Sequence, residues 1–181
     1  MILILGKSTI AKELESALPN SIVVGKPEYN FSNRHDCNRV VMNYNPDVVI
    51  NTFALGPQAD DVWDQLTVNF TSMVYLTDLF YKKLQDAHII NFSSTSTYWS
   101  SYPGIDDGRF FYNLSKTCLS TFGKLYNRKI VDEARNVVTT FETGKFNSKI
   151  HNWSGGMPIE RVVHAVKDCI DKRYTQIALI R

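Results

Sequence analysis

Cysteine is scarce in this 181-residue chain, with only Cys37, Cys118 and Cys169, far apart along the sequence. An odd, dispersed set excludes a disulfide framework, and no pair has the spacing of metal ligands. No metal is expected, and a reducing, cytoplasmic setting fits. An excess of charge is also missing: 20 basic residues face 18 acidic ones, for a net charge of +2. With no basic tail or stripe, nucleic acid is not an implied partner. Long apolar runs are absent as well, which argues against a membrane partner. The opening Met1-Ile-Leu-Ile-Leu5 has no basic region before it and ends at Gly6. It reads as a buried strand rather than a signal peptide, and no run is long enough to cross a bilayer. What remains is 44% hydrophobic, enough for one domain over residues 1–181 to bury a core unaided.

Short apolar runs alternate with longer segments of helical period. Strands are expected at Ile2–Leu5, Ser21–Val24, Asp47–Asn51, His88–Ser93, Val137–Phe141 and Gln176–Ile180. Their near-continuous apolar character suits strands covered on both faces. Helices are expected at Thr9–Leu18, Arg34–Asn43 (capped by Ser32 or Asn33), Asp61–Leu84, Phe111–Ala134 and Pro158–Asp171, the last opening on a proline. This alternation predicts an α/β fold with a doubly wound parallel sheet in a single compact domain. The turn-rich loops Ser100–Gly108 and Gly144–Pro158 should lie beside the carboxyl edge of the sheet, where such folds bind ligands.

Several segments place chemistry at that edge. Gly6-Lys7-Ser8-Thr9-Ile10-Ala11 follows a strand and opens a helix, which is where backbone N–H groups receive a pyrophosphate. Only Gly6 remains of a glycine fingerprint, and an ordinary strand–helix turn is the plain alternative. Gly6-Lys7-Ser8 also imitates the end of a P-loop, but Met1 occupies the position of the first glycine. Asn51, ending the strand before Thr52-Phe53-Ala54, could fix the turn beneath a ligand through its amide. Asn69 is a mild anomaly inside a periodic helix, with solvent exposure as the ordinary explanation. Ser93-Ser94-Thr95 supplies hydroxyls at a strand end. Tyr112 and Lys116 are spaced to share one helix face, and an ammonium near a phenol lowers its pKa. A surface tyrosine beside a solvated lysine is the competing reading.

Taken in order, these pieces resemble the short-chain dehydrogenase/reductase family, from Ile2 to about Gly144. The residues that carry the resemblance are Trp63-Asp64 and Val68-Asn69, Asn91-Phe-Ser-Ser94, Tyr112 through Lys116 with Ser115, and Thr143-Gly144 in place of Pro-Gly. The stretch from Glu28 to Asn51 looks more like the extended branch, especially the reductases of dTDP-rhamnose synthesis. Asn51-Thr-Phe-Ala54 stands where the family has an Asn-Ala-Ala-Gly-like run. The resemblance implies an NAD(P)-binding Rossmann fold and an enzyme that interconverts a carbonyl and an alcohol by hydride transfer. Tyr112 would be the acid–base group and Lys116 would hold the nicotinamide ribose and lower the tyrosine pKa. Ser94, or Thr95 if the register slides by one, would bond the substrate oxygen. Asn69 would shape the helix and relay protons through water.

By the same resemblance, Gly6, Ser8, Thr9 and Ile10 would line the pyrophosphate turn. Asn30 and Phe31 would flank the adenine, and Asn51, Thr52, Phe53 and Ala54 would form the cofactor floor. An acidic residue ending the second strand would favour NAD. Here Lys26 ends it and Lys7 stands in the first turn, which favours the 2′-phosphate of NADP(H) over NAD(H). The long helices Asp61–Leu84 and Phe111–Ala134 carry more apolar surface than one sheet covers, so a homodimer or homotetramer is expected, with a small-molecule substrate. Two other readings stand beside this one: a non-catalytic dinucleotide-binding sensor or regulatory protein, and a nucleotide-sugar epimerase or dehydratase. Little material follows Gly144 for the sugar-binding subdomain that the latter would use.

Overall fold

The computed structural model describes residues 1–59, 61–95, 107–129, 135–144 and 156–179. Six strands form one wholly parallel sheet in the order β2-β1-β3-β4-β5-β6. They are β1 Ile2–Leu5, β2 Ser21–Val24, β3 Val48–Asn51, β4 His88–Ser94, β5 Val137–Thr143 and β6 Gln176–Leu179. Parallel neighbours need crossovers, and helices supply them on both faces. Helices α1 (Thr9–Ala17) and α6 (Ile159–Lys172) cover one face. There Ile10, Leu14, Val162 and Val166 pack on Ile4, Ile50, Ile90 and Phe141. The other face carries α2 (Arg34–Asn43), α4 (Met73–Lys83) and α5 (Asp107–Lys129). Val40, Met73, Leu76, Phe80 and Leu119 pack there on Leu3, Leu5, Val49, Ile89 and Val138. Alternate residues of each strand thus enter opposite halves of the core, as the twofold repeat of a strand demands.

The expected elements are all present, with shifted ends. Asn33 caps α2 through its side chain on the His35 N–H, and Arg34–Asn43 is found as expected. Helix α5 starts at Asp107, earlier than the apolar pattern indicated. The loops at 96–106 and 145–155, the end of the expected helix at 130–134, and Ile180 at the end of the last strand lie outside the described residues. The segment expected as one helix, Asp61–Leu84, is instead three pieces: α3 (Val62–Leu66), a π-helical turn (Thr67–Ser72) and α4. Among the described residues no helix is long and apolar enough to cross a membrane, and no cluster of metal-ligating side chains occurs.

The sheet order reverses between β1 and β3, because the chain leaves β1 toward β2 and later returns to β1's other side. In open α/β sheets, the crevice outside the carboxyl ends at this point binds ligands. Two backbone features bring the layers close together. Gly6 has φ +105°, in the region that favours glycine. A Cβ on Gly123 of α5 would run into the Thr140 hydroxyl of β5, so helix and sheet approach there at backbone distance.

At the opposite end of the sheet, His88 opens β4 with its ring buried against α6. Its Nε2 lies 2.6 Å from Thr139 Oγ1 and 3.9 Å from Cys169 Sγ. Burial, with help from the Arg173 charge, pushes its pKa down from 6.5 to about 4. The unfolded chain therefore takes up a proton that the folded chain refuses. Stability is full above the unfolded pKa and falls as the pH drops through the window from 6.5 to about 4. The loss on crossing this window should be about 3 kcal/mol. His88→Gln, which does not titrate, should remove that share of the acid sensitivity in urea denaturation compared near pH 7 and near pH 4.

Candidate functional site

The reversal point is built from three strand exits. After β1, the Gly6 N–H donates to Val24 O of β2 at 2.8 Å, while Leu5 O accepts from the Thr52 and Phe53 N–H groups of the β3 exit at 2.9 and 3.1 Å. A Cβ on Gly6 would sit 2.7 Å from Phe53 N, so only glycine lets the two exits approach this closely. Ser8 then caps α1, accepting from the Ala11 N–H at 3.2 Å, and its hydroxyl donates to Thr52 Oγ1 at 3.3 Å. Thr52 in turn donates to Leu5 O at 3.0 Å. The first-turn N–H groups of α1 are thereby presented at the crevice, with Thr9 and Ile10 in that first turn.

The β2 exit closes the outer side. Gly25 packs against the backbone and side chain of Lys7, which brings exposed Lys7 and exposed Lys26 to the same rim. Asn30 shapes the following loop: its N–H donates to Asp36 Oδ2 at 2.8 Å, and its Oδ1 accepts from Ser32. Phe31 was expected to offer its ring to an adenine. In the structure that ring is buried in the core, 4.8 Å from the Phe53 ring. Phe53 is buried as well, and Ala54 is exposed.

The two asparagines differ from their expected parts. Asn51 was expected to fix the turn after its strand. Instead its Nδ2 donates to Asn91 Oδ1 at 2.5 Å across the β3–β4 pair, and Asn91 Nδ2 donates to Thr77 Oγ1 of α4 at 3.0 Å. The turn is held by Asn69, which is wholly buried rather than solvated. Its Oδ1 accepts from the Leu55 N–H at 2.7 Å and its Nδ2 donates to Leu55 O at 2.8 Å. Both ends of the amide are used, so the side chain is occupied in holding a loop. The π-helical turn around Asn69 turns the residue toward that loop, at the cost of regular helix bonding.

On the other side of the crevice, β4 ends at Ser94 and α5 brings Tyr112 and Lys116 over it. Tyr112 and Ser94 share a side-chain hydrogen bond. The neighbouring hydroxyl of Thr95 turns away, donating to Thr143 O of β5 at 3.4 Å. Lys116 is buried, with Nζ donating to Phe92 O at 3.0 Å and lying 5.9 Å from the Tyr112 ring centre. Ser115 donates to Tyr112 O at 2.7 Å and fixes the first turn of this face. The electrostatics run against the sequence-based expectation of an acidified phenol. Burial raises the Tyr112 pKa, and the Ser94 hydrogen bond opposes this only in part. Burial also pushes the Lys116 ammonium down from 10.5 to about 8. At neutral pH this leaves a protonated phenol beside an ammonium that still carries its charge, an arrangement that can donate a proton.

No family model and no curated protein matches the chain. Solved structures do. A short-chain dehydrogenase from Sphingobium yanoikuyae in complex with NADPH is 14% identical with a TM-score of 0.78, over 98% of this chain and 86% of that one. A Listeria innocua protein reaches a TM-score of 0.81 at 11% identity, over 99% and 98% of the two chains. A dTDP-4-dehydrorhamnose reductase from Clostridium acetobutylicum is 15% identical with a TM-score of 0.77, over 98% of this chain and 73% of that one. These similarities show the fold: the chain has the Rossmann architecture of the short-chain dehydrogenases/reductases.

The clamp on Leu55 is testable by itself. Asn69→Leu would leave the Leu55 N–H and carbonyl without partners in a partly buried loop, at an expected cost of about 2 kcal/mol. Denaturant unfolding measures that loss, and faster hydrogen exchange at the Leu55 amide would localise it to the loop.

Proposed function

We propose that the chain is a short-chain dehydrogenase/reductase, an NADP(H)-dependent enzyme that interconverts a carbonyl and an alcohol on a small substrate in a reducing, cytoplasmic setting. The observation that carries the reading is the convergence of Ser94, Tyr112 and Lys116 beside the crevice at the strand-order reversal. The shared fold and the cofactors bound by two of the similar structures, with NADPH and NADP, support it.

The residues present fit a dinucleotide. Gly6 forms a cradle that a Cβ would fill, the α1 N-terminus opens onto it, and Lys7 and Lys26 stand on the rim where a 2′-phosphate would lie. Thr9, Asn30 and Ala54 border the same space, with the buried Ile10, Phe31, Asn51, Thr52 and Phe53 supporting it from the core. When bound, the nicotinamide supplies or accepts the hydride. The chain's own part is acid–base. Tyr112 donates its hydroxyl proton to the carbonyl oxygen in the reductive direction, Ser94 bonds the same oxygen, and the Lys116 charge eases loss of the phenolic proton. A phenol pKa raised by burial suits the reductive direction. The extended-type reductase among the similar structures keeps a nucleotide-sugar substrate open as a second reading.

The kinetic test uses three variants. Tyr112→Phe removes one hydroxyl and should lower turnover at least about a hundredfold while cofactor affinity stays. Lys116→Ala should lower both. Lys26→Asp should narrow the preference for NADPH over NADH in titrations of the free protein. Full activity in Tyr112→Phe would show that another group is the acid.

The outer face of α3 and α5 exposes Trp63 (68%), Phe110 (54%) and Leu125 (58%). A homodimer or homotetramer through this face is part of the proposal, and light scattering at micromolar concentration should give more than a monomer.

A further inference from the structure

Successive residues of β4 hold Lys116 at its two ends. Phe92 O accepts from the Lys116 ammonium at 3.0 Å, and Ser93 Oγ donates to the Lys116 backbone carbonyl at 3.0 Å. Ser93 Oγ also lies 2.9 Å from Ser120 Oγ, one turn further along α5. A hydroxyl has one proton to give. Since Ser93 gives it to the Lys116 carbonyl, the Ser120 hydroxyl donates to Ser93. All three residues are buried.

We propose that Ser93 is a positioning residue for Lys116, fixing α5 on β4 so that the ammonium is held beneath the Tyr112 ring. The inference rests on the functional reading above and deepens it at the same site. Its physical basis is the way Lys116 is held. No ion pair to Lys116 occurs among the described residues. A lysine carries a flexible four-carbon stem and three donors, and it regains hydration wherever it can reach water. One carbonyl acceptor does not fix such a group by itself. The place of the ammonium is set by where the α5 backbone stands relative to β4. The Ser93 bond ties that backbone at Lys116 itself, one residue along the strand from the acceptor of its ammonium. A slide of the helix by under about 1 Å would stretch the Nζ–Phe92 contact beyond hydrogen-bond range.

Ser120 provides the internal control. Ser120→Ala and a Ser93 variant lacking the hydroxyl lose the same buried serine–serine bond, but only the latter loses the tie to Lys116. Threonine and valine at position 93 have nearly the same shape and differ in the hydroxyl, and both suit a strand. The first readout is independent of turnover: a ¹³Cε-lysine NMR titration of the Lys116 signal, assigned by its loss in Lys116→Met. In the parent, Ser93→Thr and Ser120→Ala proteins the midpoint should stay near 8. In Ser93→Val it should move up toward the ordinary 10.5 as the ammonium reaches water. The second readout is catalysis. Ser93→Val should lower kcat roughly tenfold with KM little changed, and should shift the kcat pH profile. If Ser93→Val does not fold, Ser93→Ala replaces it with the same expectations. A parent-like Lys116 midpoint in the hydroxyl-free variant would overturn the proposal. So would a shift in Ser120→Ala as large as that in Ser93→Val. A parent protein that reduces no carbonyl compound overturns the functional reading alone, and the NMR titration still decides Ser93.

Discussion

The contact between the exits of β1 and β3 is the constraint around which the molecule is arranged. Leu5 O accepts two N–H bonds from the β3 exit, and the backbone of Phe53 lies where a side chain on residue 6 would have to go. A glycine at φ +105° makes the approach possible. Once it is made, α1 starts with its free N–H groups facing the crevice, and the β2 exit is drawn in through Gly25 and Lys7. The sheet's order reverses here, so the helices on its two faces leave a gap. The turn from β1 into α1 therefore reaches the reversal point with Gly6 alone rather than through a glycine-rich loop.

Facing that gap is a second, electrostatic constraint. Burial drives each member of the Tyr112–Lys116 pair toward its neutral form, with Lys116 buried and Tyr112 partly so. Ser94 is the hydroxyl that shares this environment, whereas Thr95 is spent on β5. The strand's alternation then explains Ser93, which points to the opposite side and meets the α5 backbone.

Much of this was legible in the residues. The apolar runs specified six strands, and their alternation with helices specified a parallel sheet. Tyr112, Lys116 and Ser94 were marked by spacing and order, and the structure brings them together. The failures have physical causes. The ordinary alternative for Asn69, exposure to solvent, fails because helical periodicity assumes an unbroken repeat, and an extra residue in the turn rotates it inward. Asn51 and Phe31 were assigned to the ligand side, yet neither a strand end, for Asn51, nor a loop, for Phe31, tells from its pattern which way a side chain turns. Asn51 joins a buried amide network with Asn91 and Thr77, and Phe31 fills the space beneath Phe53. The sign of the tyrosine shift was missed because burial, the larger effect, depends on neighbours distant in sequence. Ser93 stood beside a marked residue, and the strand's period of two was the signal that could have found it.

The π-helical turn at Thr67–Ser72 has a consequence of its own. One residue more than a regular helix needs advances the phase by about 100°. The two halves of Asp61–Leu84 are thus separate amphipathic surfaces joined out of step. The first half lies against α5, and the second lies against α2 and the sheet. A single straight helix over the same span could satisfy only one of these neighbours. The surplus residue lets one continuous segment serve as a hinge-free coupling between α5 on one side and α2 with the sheet on the other, with Asn69 at the joint.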